Sequence, residues 1–406
     1  MAATDERHEA SGTEGGMAGM GGVGGTGAAG GSGPARGGGD GRRRLLIWLE
    51  WLRRNPLVTV VVVVAAVALG ATLLRGRTWM QPVGRPRQPQ VIAFYQKGWT
   101  DLDRGLPALQ ANYRHIDILS PFWYTIESNG DIVPRDIEDA VLRFARDKKI
   151  PLHPLFNKGE GTAMVADPAI RAKVARGIND IVEKAGYAGV NIDLQPLTPG
   201  LSDEFTDLVR QVARLLHPQG KMVSVSVMPQ VGVPETVTGV YDYAALARTS
   251  DFLVLMAYDR HSAPGSPPGA VAPHGWVEEN VRWALNHGVP AHKLVLGVAT
   301  YGYDWHDATP QGKTVGLKAA VEKARLTGAD IRFDPSTRSL FFSYSPGQYT
   351  PRNVWFEGGD SAMEKAALAR KYRLFGVGVW RVGYETEYFW NKLEDALQRG
   401  GKSPAR

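Results

Sequence analysis

The chain contains no cysteine. Disulfide staples and thiol chemistry are therefore excluded, although the compartment is left open. Its nine histidines are scattered, without the spacing of HExxH or a similar ligand set, so neither a metal site nor any other cofactor is expected. No GxGxxG follows the first strand-like segment. That removes the main support for an open, doubly wound dinucleotide-binding sheet. Strong charge is also missing from most of the chain. Of the net +6, residues 1–90 supply +5, from 11 Arg against six acids, which leaves +1 for everything after. A body so close to neutral argues against a nucleic-acid partner.

What is present begins with glycine. Residues 10–41 are mostly Gly with Ala, Ser and Thr. Such a stretch has too little apolar surface to offset its ordering entropy, and 1–54 reads as a disordered, Arg-flanked segment. The uncharged run 57–74, 18 residues rich in Val and Ala, follows Pro56. As a helix it would be about 27 Å long, close to the hydrocarbon thickness of a bilayer. Trp48, Trp51 and Trp79 lie where interfacial anchors belong. The run is too far from the N-terminus, too long and too poor in small-residue cleavage signals for a signal peptide. We therefore read 55–76 as a single transmembrane anchor. Arginines flank both sides, with a slight excess before the run, which favours a cytoplasmic N-terminus and an extracellular body. Residues 77–90, with Pro82, Pro86 and Pro89, form a stiff linker.

From 91 to 400 strand and helix patterns alternate. Strands are predicted near 91–95, 116–122, 151–156, 189–195, 222–228, 252–258, 293–299 and 375–380. The clearest helix is 168–185. Asp167 can cap it, Pro168 suits its first position and Gly186 ends it. Ile170, Val174, Ile178, Ile181 and Val182 supply its apolar stripe. A second helix starts at Ser202 and carries Phe205, Leu208, Val209, Val212 and Leu216. Eight such units predict an α/β fold, a (β/α)8 TIM barrel with its site at the C-terminal ends of the strands. Two excursions are predicted: a hairpin over 124–133 around Asn129-Gly130, and a small α+β insertion, about 303–358, between the seventh and eighth strands.

The fourth strand departs from an ordinary core strand. Val190, Ile192 and Leu194 alternate with Asn191, Asp193 and Gln195, so one face is a polar row that contains an acid. Such a face suits a barrel interior that opens on a site, whereas an edge strand in water would show the same pattern. The other strand ends bring Phe94 and Tyr95; Phe122, Trp123 and Tyr124; Asn157; Met228; Met256, Tyr258 and Asp259; Tyr301; and Trp380. Aromatic rings stack on the apolar faces of sugar rings, and amides and carboxylates bind hydroxyl or amide groups. Any one of these rings alone reads as core; together at one barrel end they point to a saccharide site.

At these residues the chain resembles glycoside hydrolase family 18, the chitinase-type barrels, and within it the bacterial spore-germination and cortex-lytic glucosaminidases. The resemblance covers about 91–398. It rests on Ser-Pro-Phe-Trp-Tyr at 120–124, the strand 189–195, Leu-Met-Ala-Tyr-Asp at 255–259, Val-Ala-Pro at 271–273 with Trp276-Val277, and Leu296-Gly297. Tyr-Gly-Tyr-Asp-Trp at 301–305, Phe-Asp-Pro at 333–335, Val-Trp-Phe-Glu at 354–357 and Gly-Val-Gly-Val-Trp at 376–380 complete it. The family signature D-x-x-D-x-D-x-E falls on Ala188, Asn191, Asp193 and Gln195. The last position departs most, because the family's Glu there is the general acid.

The resemblance implies substrate-assisted retention, in which the sugar's own 2-acetamido oxygen attacks the anomeric carbon. By position, Asp193, Gln195 and Tyr258 would be the catalytic set. Asp193 would bind the acetamide N–H, Tyr258 its oxygen, and Trp380 would lie under the sugar. Tyr95, Trp123, Asn157, Asn191, Met256, Asp259 and Tyr301 are further substrate-binding candidates. The partner implied is an N-acetylglucosamine-containing glycan, chitin or peptidoglycan in type. Three readings stay open at this point: a glycan binder without the acid, a hydrolase that recruits another acid such as Asp259 or Glu385, and a structural cell-envelope protein with a vestigial cleft.

Overall fold

The computed structural model describes residues 88–398 apart from 99, 307–308, 310 and 348–350. The expectations for 1–54, 55–76 and almost all of 77–90 lie outside the described residues. Among the described residues no helix is long and apolar enough to cross a membrane.

The strands are β1 (Gln90–Tyr95), β2 (Ile118–Ile126), β3 (Ile132–Pro134), β4 (Leu155–Lys158), β5 (Gly189–Asp193), β6 (Met222–Val227), β7 (Phe252–Leu255), β8 (Leu294–Ala299), β9 (Tyr301–His306), β10 (Gly312–Gly316), β11 (Arg332–Asp334), β12 (Ser339–Tyr344), β13 (Arg352–Phe356) and β14 (Gly376–Val382). Eight of them, β1, β2, β4, β5, β6, β7, β8 and β14, pair in parallel and in that order. Pairing of β1 with both β2 and β14 closes the ring. The predicted barrel is thus present, and each of its strands overlaps its predicted segment. β5 stops two residues early; Leu194 and Gln195 run past the ladder toward Pro196, which has no N–H to extend it.

Closure gives the wall two apolar faces. Inside lie Ile92, Phe94, Ile118, Leu155, Phe252, Val254, Val295 and Phe375. Outside, Val190, Ile192, Val223 and Val225 pack against the surrounding helices. The helix Pro168–Ala185 shows how local chemistry sets this layer. The Asp167 carboxylate accepts from the N–H groups of Ala169 and Ile170 at 2.7 and 3.0 Å, and Gly186 ends the helix at φ 69°. Val174, Ile178 and Val182 are its buried stripe. The helix Ser202–Leu216 has no side-chain cap; Asp203 and Glu204 in its first turn complement the helix dipole instead.

The predicted hairpin is the antiparallel pair β2–β3, turned at Gly130 with φ 82°. The insertion is a five-stranded antiparallel sheet, ordered β10-β9-β13-β12-β11, with the helix Leu317–Thr327 on one face. It begins at Tyr301, two residues before the predicted boundary. Just behind it, Lys365 of the helix Gly359–Lys371 donates to Glu357 (2.8 Å), to the Ser339 hydroxyl (3.2 Å) and to the Arg338 carbonyl (2.7 Å). Lys365 and Glu357 are both fully buried, so this pair ties insertion to barrel.

Candidate active site

The parallel register sets what faces inward. Asn157 on β4 lies opposite Asp193 on β5, and Asn191 opposite Ser224 on β6. The Asn191 amide donates to the Ser224 hydroxyl (3.0 Å) and accepts from the Ser226 hydroxyl (2.9 Å), while Ser224 donates to the Val190 carbonyl. Asn191 is therefore committed to a closed polar layer beneath the mouth. Asn157 accepts from the Thr125 hydroxyl at 2.8 Å.

Asp193 stands one layer above. It is 7% exposed, and among the described residues its Oδ1 has no hydrogen-bond partner. Burial pushes its carboxyl up to about 7, with the Gln195 side chain acting in the opposite direction. A buried acceptor left unmet costs free energy comparable to a lost hydrogen bond, so this oxygen is an open binding valence. Around it converge the other residues of the set. The Gln195 amide donates to the Met256 sulfur at 3.6 Å. The Tyr258 phenol is held well above its ordinary pKa by burial and then by the charges of Asp193 and Asp259. A Cβ at Gly297 would lie 2.9 Å from the Tyr258 ring and 2.7 Å from the Leu255 carbonyl, so only glycine on β8 lets that ring lie where it does.

Aromatic rings form the opposite wall. Tyr301 and Tyr303 both donate to the same oxygen of Asp259, at 2.6 and 2.8 Å. Tyr301 meets the Tyr258 ring edge-on, with centroids 6.2 Å apart. Trp380, at the end of β14 and half-buried, packs into the cluster of Tyr301, Tyr303 and Trp305 together with Tyr258, and also contacts Phe94 at 5.7 Å. Asp193, Gln195, Met256, Tyr258, Asp259, Tyr301 and Trp380 are thus brought together at the barrel mouth.

Tyr95 and Trp123 are placed elsewhere. Both rings are buried on the helix side of the wall, where Tyr95 donates to Glu138 and Trp123 lies 6.4 Å from Tyr187. Alternation from inward Phe122 already turns Trp123 outward, and a register shift between Phe122 and Tyr124 leaves Tyr124 outward beside it. The two candidate acids differ as well. Asp259 is engaged by its tyrosines. Glu385 is buried, accepting from the Gly383 N–H (2.6 Å) and the Trp390 indole (3.2 Å), and borders another cavity of about 520 Å³ with Asn112, His115 and Lys318. Sequence reasoning passed over Tyr303, although its spacing of two from Tyr301 places both on one face. It also passed over Tyr241, whose buried phenol feels the Asp193 charge; nothing local signals that contact.

Residues 157–385 match the glycosyl hydrolases family 18. A Bacillus subtilis protein named as a sporulation-specific glycosylase, YdhD, is 30% identical over 302 residues, covering 72% of this chain and 71% of that protein. The cortical fragment-lytic enzyme of the same organism is 29% identical over 249 residues, 59% of this chain and 57% of its own length. A chitinase from Chromobacterium violaceum superposes with a TM-score of 0.70 at 26% identity, covering 76% of this chain and 99% of that structure.

Proposed function

The chain belongs to the family 18 glycosyl hydrolases, and from that premise we propose that it is a membrane-anchored binder of N-acetylglucosamine-containing polysaccharide whose hydrolytic step is slowed by Gln195. The observation that carries this reading is the unmet Oδ1 of buried Asp193, beside Gln195 and Tyr258. An acetamide N–H supplies the missing donor. The Tyr258 hydroxyl donates to the acetamide oxygen, and the Trp380 ring supports the sugar from below. With its N–H drawn to Asp193, the acetamide oxygen attacks the anomeric carbon as the glycosidic C–O bond breaks. Asp193 then stabilises the oxazolinium cation that water later opens.

The leaving oxygen needs a proton at that moment. The Gln195 amide can donate a hydrogen bond to it but cannot release the proton, and loss of a general acid costs about 10²–10⁴-fold. Binding rests on the hydrogen bonds and the stacking, which do not need the acid. The apolar run 57–74 and its flanking arginines support a single-pass anchor with the barrel outside the cytoplasmic membrane. The relatives named as a sporulation-specific glycosylase and a cortical fragment-lytic enzyme support a wall-type glycan as the partner met there.

Calorimetric titration with soluble N-acetylglucosamine oligomers, followed by product analysis, tests the reading. Binding with little or no cleavage is expected. No binding by any oligomer would overturn it, and rapid cleavage would show that another acid serves.

A further inference from the structure

Substrate-assisted cleavage asks two things of a site: a carboxylate for the acetamide and a proton for the leaving oxygen. Asp193 presents the open oxygen that meets the first demand. The described titratable groups gathered at the mouth do not meet the second. Gln195 is an amide, with its N–H on the Met256 sulfur at 3.6 Å. Asp259 accepts from Tyr301 and Tyr303 on one oxygen, at 2.6 and 2.8 Å, which holds it as an acceptor. Burial makes the phenols of Tyr258 and Tyr241 keep their protons more tightly than in water. Glu385 has both oxygens met and borders a different cavity.

A leaving group that departs as a stable anion needs no such proton. We infer that this site cleaves β-linked N-acetylglucosaminyl donors whose aglycone leaves as a stable anion, a phosphate or a phenolate, in preference to glycan chains. The acetamide oxygen bonds to the anomeric carbon while the bond from that carbon to the aglycone oxygen breaks, and the aglycone oxygen keeps the electron pair. Water then bonds to the anomeric carbon as the bond to the acetamide oxygen breaks, and its surplus proton passes to solvent. Gln195 suits this chemistry better than an ionised glutamate would. Beside buried Asp193 it adds no negative charge to repel the departing anion. Its N–H also offers that anion a hydrogen bond about twice as strong as one between neutral groups. The bond strengthens as charge develops on the oxygen, so it favours the transition state over the bound donor. A sugar hydroxyl is a far weaker acid than a phosphate or a phenol, so a glycan chain leaves poorly with the same help.

The inference rests on the glycan-binding reading above, and the test separates the two. The full-length chain, Gln195→Glu and Asp193→Asn are assayed on 4-nitrophenyl β-chitobioside, β-chitobiosyl phosphate and the N-acetylglucosamine trimer. Trimer binding is followed by calorimetry. The unaltered chain is expected to release nitrophenol and phosphate about 10²–10⁴-fold faster than it cleaves the trimer, because only the trimer needs a general acid. Gln195→Glu should remove most of that preference by speeding trimer cleavage, and Asp193→Asn should lose release from both activated donors. Trimer binding with no release from either activated donor overturns the inference and leaves the glycan site standing. Trimer cleavage as fast as that of the activated donors does the same, because a proton is then being supplied. Release that survives Asp193→Asn also overturns it. An unaltered chain that binds no trimer and cleaves none of the three brings down the glycan-binding reading as well.

Discussion

Two carboxylates lie buried at the ends of barrel strands, Asp193 as the last residue of β5 and Glu385 just after β14, and they are in opposite condition. Burial raises the pKa of both. The two Glu385 oxygens are met by the Gly383 N–H and the Trp390 indole, from residues close by in sequence. One Asp193 oxygen is met by no donor among the described residues. A fold tolerates the cost of an unmet buried acceptor, about 1–3 kcal/mol, where something other than the fold supplies the donor. The contrast therefore separates a buried carboxylate with one open oxygen from one whose two oxygens both bind their own segment of chain.

The largest expected effect tests whether Asp193 sits in working machinery. Gln195→Glu should raise hydrolysis of an N-acetylglucosamine oligomer by about 10²–10⁴-fold, read as release of reducing ends. A flat rate in a normally folded variant would mean that the Asp193 region has lost more than its acid, and the contrast with Glu385 would weaken.

The next effect concerns stability. The Asp193 carboxyl rises from 3.8 to about 7 on folding. Between those values the folded chain keeps a proton that the unfolded chain has lost, so stability falls as pH rises through that window. Above it the full cost is present, up to about 4 kcal/mol at 1.36 kcal/mol per unit. Asp193→Asn should therefore gain stability over the unaltered protein as pH goes from 4 to 8, while oligomer binding weakens. Urea unfolding at the two pH values checks this, and a gain independent of pH would show that the carboxylate is already satisfied.

Glu385→Ala should give the smallest effect and the opposite pattern. Two buried donors lose their acceptor, so stability should fall by about 1–3 kcal/mol while oligomer affinity stays unchanged. Altered affinity with unchanged stability would make Glu385 part of the binding site and erase the distinction.

Much of the frame was readable in advance because its causes are local. The cap Asp167, the first-turn Pro168 and the terminal Gly186 act within a few residues of the helix they bound. The hairpin around Gly130 depends on a single positive φ. The side of the wall on which an aromatic ring falls was harder. Trp123 points outward by plain alternation from Phe122, but Tyr124 does so because the ladder slips beside it, and alternation counted along one strand cannot reveal a slip made against its neighbour. Tyr95, by contrast, obeys plain alternation along β1. Next to inward-facing Phe94, it belongs to the helix side, where its hydroxyl donates a hydrogen bond to Glu138.

The sequence by itself determined the eight strand–helix units, the hairpin, the inserted sheet and the polar row on β5, because periodicity, caps and turns are set by residues adjacent in the chain. The tertiary structure alone decided which of those polar groups were used up. Ser224 and Ser226 satisfy Asn191, two tyrosines of the insertion engage Asp259, and an oxygen of Asp193 is left open. A hydrogen-bond partner supplied from tens of residues away exists only once the ring of strands has closed.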